Sequence, residues 1–238
     1  MNQPAFGWFE KLPADRLLVE VSLWSGDLGR LAEDIARVDH LTDLYHIDVA
    51  DGHFAPTMLF FPDLVASIRK LSTNPLHIHL MAMDSILMAQ IEQFAEAGAD
   101  IISVHAENAR VSEALSMINK LGRVAGLVLQ LQTPVSAAAP YLDSIGVLTL
   151  LGTPIGVKGC GLDPSAELRL REARHLIAQR GGERLVILTA DGGIREHTIP
   201  GLRLAGAAAI VVGSFAMSAP DLTSRIAWVY SLPLGPNV

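Results

Sequence analysis

The chain has 238 residues, a length that fits one large domain or two small ones, with 50% apolar and 18% charged residues, enough for a core and too little charge for disorder. A net charge of −7 with no cluster of Lys and Arg argues against nucleic acid or a membrane surface as partner. The one cysteine, Cys160, excludes an intrachain disulfide and any multi-cysteine metal site.

The opening MNQPAFGWFEKLPADR lacks a basic flank before an apolar run, and no stretch approaches the ~18 consecutive apolar residues of a spanning helix. The expectation is a soluble, cytoplasmic protein. From about residue 17, short β-rich runs alternate with amphipathic stretches. The first strand is expected over Leu17–Leu23 and a helix over Asp27–Val38, then strands over Tyr45–Ala50 and Leu76–Met81. A helix over Ile86–Ala97 ends at Gly98, suited to a left-handed cap, before a strand over Ile101–His105. A helix over Ser112–Leu121 and strands over Val124–Leu129 and Ile145–Leu151 follow. Helices over Ala166–Gln179 and His197–Ala205, the latter capped by Gly206, flank a strand over Leu185–Ala190. A strand over Ala209–Val212 and a helix over Asp221–Trp228 close the series.

About eight strand–helix repeats in some 215 residues require a parallel sheet. That number favours an α/β fold of the closed (β/α)8 TIM-barrel kind over an open doubly wound sheet. The expected layout is an N-terminal extension over 1–16, a single barrel domain over 17–232 and a C-terminal tail over 233–238. The loop Gly152–Pro164, densest in Gly and Pro, should lie over the barrel mouth.

Polar residues in such strands need partners, because burying them alone is costly. In the second strand His46 and Asp48 are two apart and point to one side; in the third, His77, His79 and Met81 share a face. The seventh strand runs into Asp191-Gly192-Gly193. Two His and two Asp at one mouth would suit one divalent cation, Zn²⁺, Fe²⁺, Co²⁺ or Mn²⁺. His77 and His105 read more simply as hydrogen-bonded core residues, and His53 is open between the two readings. Gly192, Gly193, Gly213 and Ser214 follow consecutive strands where barrels commonly bind phosphate on backbone N–H groups.

The chain resembles the ribulose-phosphate 3-epimerase family of TIM barrels, those that bind ribulose phosphate. The resemblance is carried by VSLWSGDLGRL (Val21–Leu31), HIDVADGHFAP (His46–Pro56), HIHLM (His77–Met81), FAEAGADIISVHAE (Phe94–Glu107), ADGGI (Ala190–Ile194) and AGAAAIVVGSFAM (Ala205–Met217). It implies a metal-dependent 3-epimerase of a phosphorylated ketose, foremost one interconverting D-ribulose 5-phosphate and D-xylulose 5-phosphate through an enediolate. His46, Asp48, His79 and Asp191 match the family's metal ligands, and Asp48 and Asp191 its catalytic acid/base pair. Ser22, His79, Met81, Gly192, Gly193, Gly213 and Ser214 match substrate-binding positions. A homo-oligomer is expected, although the residues themselves say nothing of subunit number.

Departures gather around the substrate. Ala50 stands where the family usually has methionine, and a second methionine is missing near Leu150. Thr153–Gly161 replaces an NPGFGGQ-like loop. Loss of the methionine at Ala50 is expected to leave more room over the metal or to admit water. Lys158 is either a phosphate contact or a solvated lysine, and Trp24 is read as pocket wall. The alternatives are the same chemistry on a hexulose such as allulose 6-phosphate or on a tetrulose, a non-catalytic sugar-phosphate-binding barrel, and a metal-dependent hydrolase.

Overall fold

The computed structural model describes residues 3–181 and 185–233. Eight apolar runs form parallel strands because crossover segments lie between them and both faces can be covered. They are β1 (Leu18–Ser22), β2 (Leu44–Asp51), β4 (Leu76–Met81), β5 (Ile101–His105), β6 (Val124–Leu129), β7 (Val147–Leu151), β8 (Ile187–Asp191) and β9 (Ala209–Val212). Their order is β1-β9-β8-β7-β6-β5-β4-β2, and pairing of β1 with β2 closes the ring. This is the (β/α)8 barrel. A short β3 (Met58–Leu59) pairs antiparallel with the end of β2.

The outer layer holds α1 (Leu31–Val38), α2 (Pro62–Arg69), α3 (Asp84–Glu96), α4 (Val111–Lys120), α5 (Ala166–Arg180), α6 (Ile199–Ala205), α7 (Ser214–Met217) and α8 (Leu222–Tyr230). Three features go beyond the sequence expectation. Hairpin strand β3 and helix α2 fill the stretch between the second and third expected strands. Pro62 stands in the first turn of α2, where its missing N–H costs nothing. The crossover after β6 is a 3-10 helix over Val135–Tyr141 rather than an α-helix; Pro140 inside it could not donate an α-helical bond. Gly206 caps α6 in the left-handed region, as its position predicts.

Inward-facing side chains stack in layers, as barrel geometry requires. The base is apolar: Leu18, Leu44, Ile101, Val147, Ile187 and Ala209 pack with Phe9 from a turn of 3-10 helix over Phe9–Lys11. The segment ahead of the barrel is therefore a plug in its base. Two residues up each strand lies a fully enclosed polar layer of Glu20, His46, His77, Ser103, Thr149 and Thr189. Above it, at the C-terminal strand ends, are Ser22, Asp48, His79, His105 and Asp191. Residues 1–2, and all of the expected tail except Pro233, lie outside the described residues. Among the described residues no helix is long and apolar enough to cross a membrane.

Candidate active site

Register brings the acidic and imidazole groups together. Parallel pairing sets Asp48 beside His79 and His46 beside His77 across β2 and β4, and Ser22 beside His46 across β1 and β2. Asp191, at the end of β8, completes the group. His79 Nδ1 lies 3.2 Å from Asp48 Oδ1 and 3.7 Å from Asp191 Oδ2. His46 Nε2 lies 3.4 Å from Asp48 Oδ1 and 3.7 Å from Asp191 Oδ2. One donor atom from each of these four residues falls within 4.8 Å of the others. Ser22 Oγ donates to Asp48 Oδ2 at 3.1 Å, so the serine first meets the carboxylate.

The donor set fits a divalent cation. His46 Nε2 is fully buried, faces the two carboxylates and has no hydrogen-bond partner, an arrangement that is costly unless something positive is met there. Burial works against a charged His46, yet Asp48, the Glu20 hydrogen bond and Asp191 raise its pKa well above the ordinary value. Two imidazole nitrogens with two carboxylate oxygens suit zinc or a first-row transition metal.

The surroundings push the two aspartates in opposite directions. Burial raises both, but the His46 and His79 rings outweigh it for Asp48 and hold that carboxyl below the usual range. For Asp191 burial and the neighbouring Asp48 charge win, and its pKa is raised. Two carboxyls pushed in opposite directions are the arrangement expected of a paired base and acid.

The sequence profile described as the ribulose-phosphate 3 epimerase family matches residues 18–217, from the start of β1 to the end of α7. The chain belongs to the ribulose-phosphate 3-epimerase family. It is an isomerase of the carbohydrate-epimerase kind. It is 34% identical over 217 residues to the ribulose-phosphate 3-epimerase of Synechocystis sp., covering 90% of this chain and 93% of the relative. It is 33% identical to the Bacillus subtilis enzyme of that name, covering 87% and 95%. The Escherichia coli K12 enzyme is 34% identical, covering 86% and 90%. Among solved structures, a 3-hexulose-6-phosphate synthase superposes with a TM-score of 0.65 at 15% identity, covering 92% of this chain and 99% of that one. Orotidine 5'-phosphate decarboxylase from Pyrococcus horikoshii OT3 gives 0.63 at 15%, covering 90% and 97%. These two likenesses concern the fold alone.

Within this member of the epimerase family, a cavity of about 320 Å³ opens above Asp48, His79 and Asp191. Its wall includes Ser22, Trp24, Met81, Lys158, Gly192, Gly193, Gly213 and Ser214, so the structure brings every expected site residue except His46 to one cavity; His46 lies just beneath. His53 is exposed and hydrogen-bonds locally to Asp51. The loop after β7 straps the mouth: Lys158 Nζ donates to the Trp24 carbonyl at 2.5 Å and sits 5.3 Å over the indole ring. At the other end of the strap Leu162 lies so close to Gly193 that a Cβ there would stand 2.6 Å from the Leu162 Cα, in a left-handed backbone that already favours glycine.

One expectation needs correction. Ala50 opens no space over the donor cluster: it packs with Ala55 and Met81 against Phe54, Leu59 and Ile155 of the strap. Leu150 faces outward into the barrel–helix core, and its neighbour Leu151 lines the cavity. Sequence reasoning also passed over Glu20, Ser103, Glu107 and Arg195. Arg195 lines the cavity beside Gly193. Glu20 was visible as a lone charge in the apolar run LLVEVSL, two residues from Ser22 and hence on its face. His77 and His105 have partners on both ring nitrogens.

Proposed function

We propose that the protein is a metal-dependent 3-epimerase of a phosphorylated ketose, with D-ribulose 5-phosphate and D-xylulose 5-phosphate as its principal pair. The observation that carries this reading is the meeting of Asp48 and Asp191 on strands separated by β1 and β9 around one small cavity. Inverting a carbon beside a ketone requires a proton to leave on one face and another to arrive on the opposite face. Asp48, as the base, takes the C3 proton and leaves a planar enediolate. Asp191, as the opposed acid, returns one from the other side. In the reverse direction the two exchange roles.

His46, Asp48, His79 and Asp191 would hold the divalent cation, Zn²⁺, Fe²⁺, Co²⁺ or Mn²⁺. When bound it supplies electrostatic stabilisation of the negative charge that develops on the substrate oxygens. Ser22 orients Asp48, and Met81 with the Trp24 wall excludes water from the reacting carbon. The phosphate is placed against the backbone N–H groups around Gly192, Gly193, Gly213 and Ser214, with the Lys158 ammonium and the Arg195 guanidinium on the same wall. A cavity near 320 Å³ is at the small end for ligand sites, in keeping with a compact sugar phosphate.

The strap supports a second reading of the substrate alone. Ile155 and Lys158 differ from the family's loop, and they touch Ala50, Met81 and Trp24 at the mouth. A hexulose or tetrulose phosphate is therefore the alternative to the pentulose. The test is a panel of ketose phosphates incubated in D₂O with metal content measured alongside. The epimer formed and the position of deuterium identify the substrate. A sugar-phosphate-binding barrel or a hydrolase would wash no deuterium into C3.

A further inference from the structure

Beneath the donor cluster, Glu20 lies in the enclosed polar layer at 1% exposure, a carboxylate that none of the acid/base chemistry uses. Its Oε2 is 3.0 Å from His46 Nδ1 and 2.7 Å from His77 Nδ1, and its Oε1 receives the Thr189 hydroxyl at 3.4 Å. His77 Nε2 is 2.6 Å from Ser103 Oγ. Ser103 reaches it only because Gly126 stands opposite in the β5–β6 register; a Cβ there would fall 1.9 Å from the Ser103 hydroxyl.

The donor and acceptor roles follow from chemistry. A carboxylate only accepts, so both ring nitrogens facing it carry protons. His46 therefore donates from Nδ1, so that with a cation bound its neutral ring turns the lone pair of Nε2 to the side of Asp48 and Asp191. His77 donates from Nδ1 and accepts the Ser103 proton at Nε2. The other donor ring is fixed by a different route. His79 Nε2 is 2.8 Å from His105 Nε2, and His105 Nδ1 is 3.0 Å from Glu107 Oε2. With Glu107 accepting from His105, His105 accepts from His79, so in the neutral ring the lone pair of His79 Nδ1 faces the site, 3.2 Å from Asp48 Oδ1, where a cation would lie between the two. The two rings thus present opposite nitrogens, each chosen by the residue behind it.

We propose that Glu20, pinned by His77 and Ser103, is a positioning residue that sets the tautomer and orientation of His46 and places a buried negative charge behind that ligand, and so controls the affinity of the cation site. This rests on the metal reading above. The same three groups, Glu20, His46 and His77, are close enough to suggest a second metal site, but the distances speak against it. Both nitrogens approach the same oxygen at hydrogen-bond length, whereas ligands at about 2.0–2.2 Å from a zinc ion stand more than about 3.2 Å apart in a tetrahedron. Binding there would also turn the lone pair of His46 away from Asp48 and Asp191.

The test compares wild type, Glu20→Gln and Ser103→Ala by competition of Zn²⁺ and Co²⁺ against a chromophoric chelator. Circular dichroism and thermal melts check the fold. Glu20→Gln keeps the shape and removes the charge; the expected loss of metal affinity is about 10–100-fold. Ser103→Ala alters no carboxylate or ligand and is expected to weaken binding in the same direction by a smaller factor. In metal-free protein labelled with ¹⁵N-histidine, His46 and His77 should each show a solvent-protected Nδ1–H resonance that moves upfield in Glu20→Gln. Folded Glu20→Gln with wild-type metal affinity, or a His46 without a proton on Nδ1, overturns the inference. If Glu20→Gln does not fold, Ser103→Ala decides, and unchanged affinity there counts against it. A wild type that binds no divalent cation instead defeats the metal reading, while the resonance still tests the tautomer.

Discussion

Replacing Asp191 by Asn separates a two-base epimerase from one that uses a single base. The carboxamide keeps the size of the side chain at the end of β8 but can neither take nor return a proton. It also leaves Asp48, with its Ser22 hydrogen bond and its His79 neighbour, in place. Losing one general acid–base group costs about 10²–10⁴ in rate, or roughly 3–5 kcal/mol of barrier at 1.36 kcal/mol per decade. Overall epimerisation should therefore fall by at least that factor in both directions. The more telling result is in the label. In D₂O the wild type should wash deuterium into C3 starting from either epimer. Asp191→Asn should still exchange C3 of the one epimer whose proton faces Asp48, without inverting it, and leave the other untouched. Asp48→Asn should show the mirror pattern. The assay is NMR of C3–H loss from each pure epimer, with bound metal measured in each variant because both aspartates also stand in the donor cluster. If metal-loaded Asp191→Asn exchanges both epimers equally, or turns over at a near-normal rate, the division of labour between the aspartates is wrong.

Lys158→Met should raise KM for the phosphorylated substrate by about 10–100-fold, the range of one charged hydrogen bond, with a smaller change in kcat; equal effects on an unphosphorylated ketose would remove Lys158 from the phosphate site. Glu107, although burial raises it, is lowered from 4.5 to about 2 by His105, Thr133 and the Gln130 N–H. The stability it contributes is therefore complete above about pH 4.5 and disappears as pH falls through about 2. The gap in urea unfolding between wild type and Glu107→Gln should shrink across that window, and a gap independent of pH would contradict the assignment. Phe9→Ala should destabilise the protein by about 3–5 kcal/mol in chemical denaturation, because it removes the plug from the apolar base layer. An unchanged midpoint would show that the base closes without it.

The strand–helix alternation was legible because its physical cause is local. Runs such as Ile101–His105 carry β-branched residues that fit a pleated surface, and Gly98 and Gly206 mark helix ends that need a left-handed residue. The same local rule placed His46 with Asp48 and His77 with His79, since side chains two apart on a strand share a face. Which faces meet is a matter of register and closure, and no local rule contains them. Only the closed ring sets Asp191 of β8 beside the pairs on β2 and β4, puts Phe9 under the base, and shows that Ile155 packs against Ala50. Glu20 is the sharpest case. In the sequence it is an awkward charge in an apolar strand. In the barrel the staggered pairing of β1, β2 and β4 surrounds it with His46 and His77, and β8 adds Thr189. A carboxylate buried at that depth is tolerable only because three strands distant in the chain each bring it a hydrogen-bond donor.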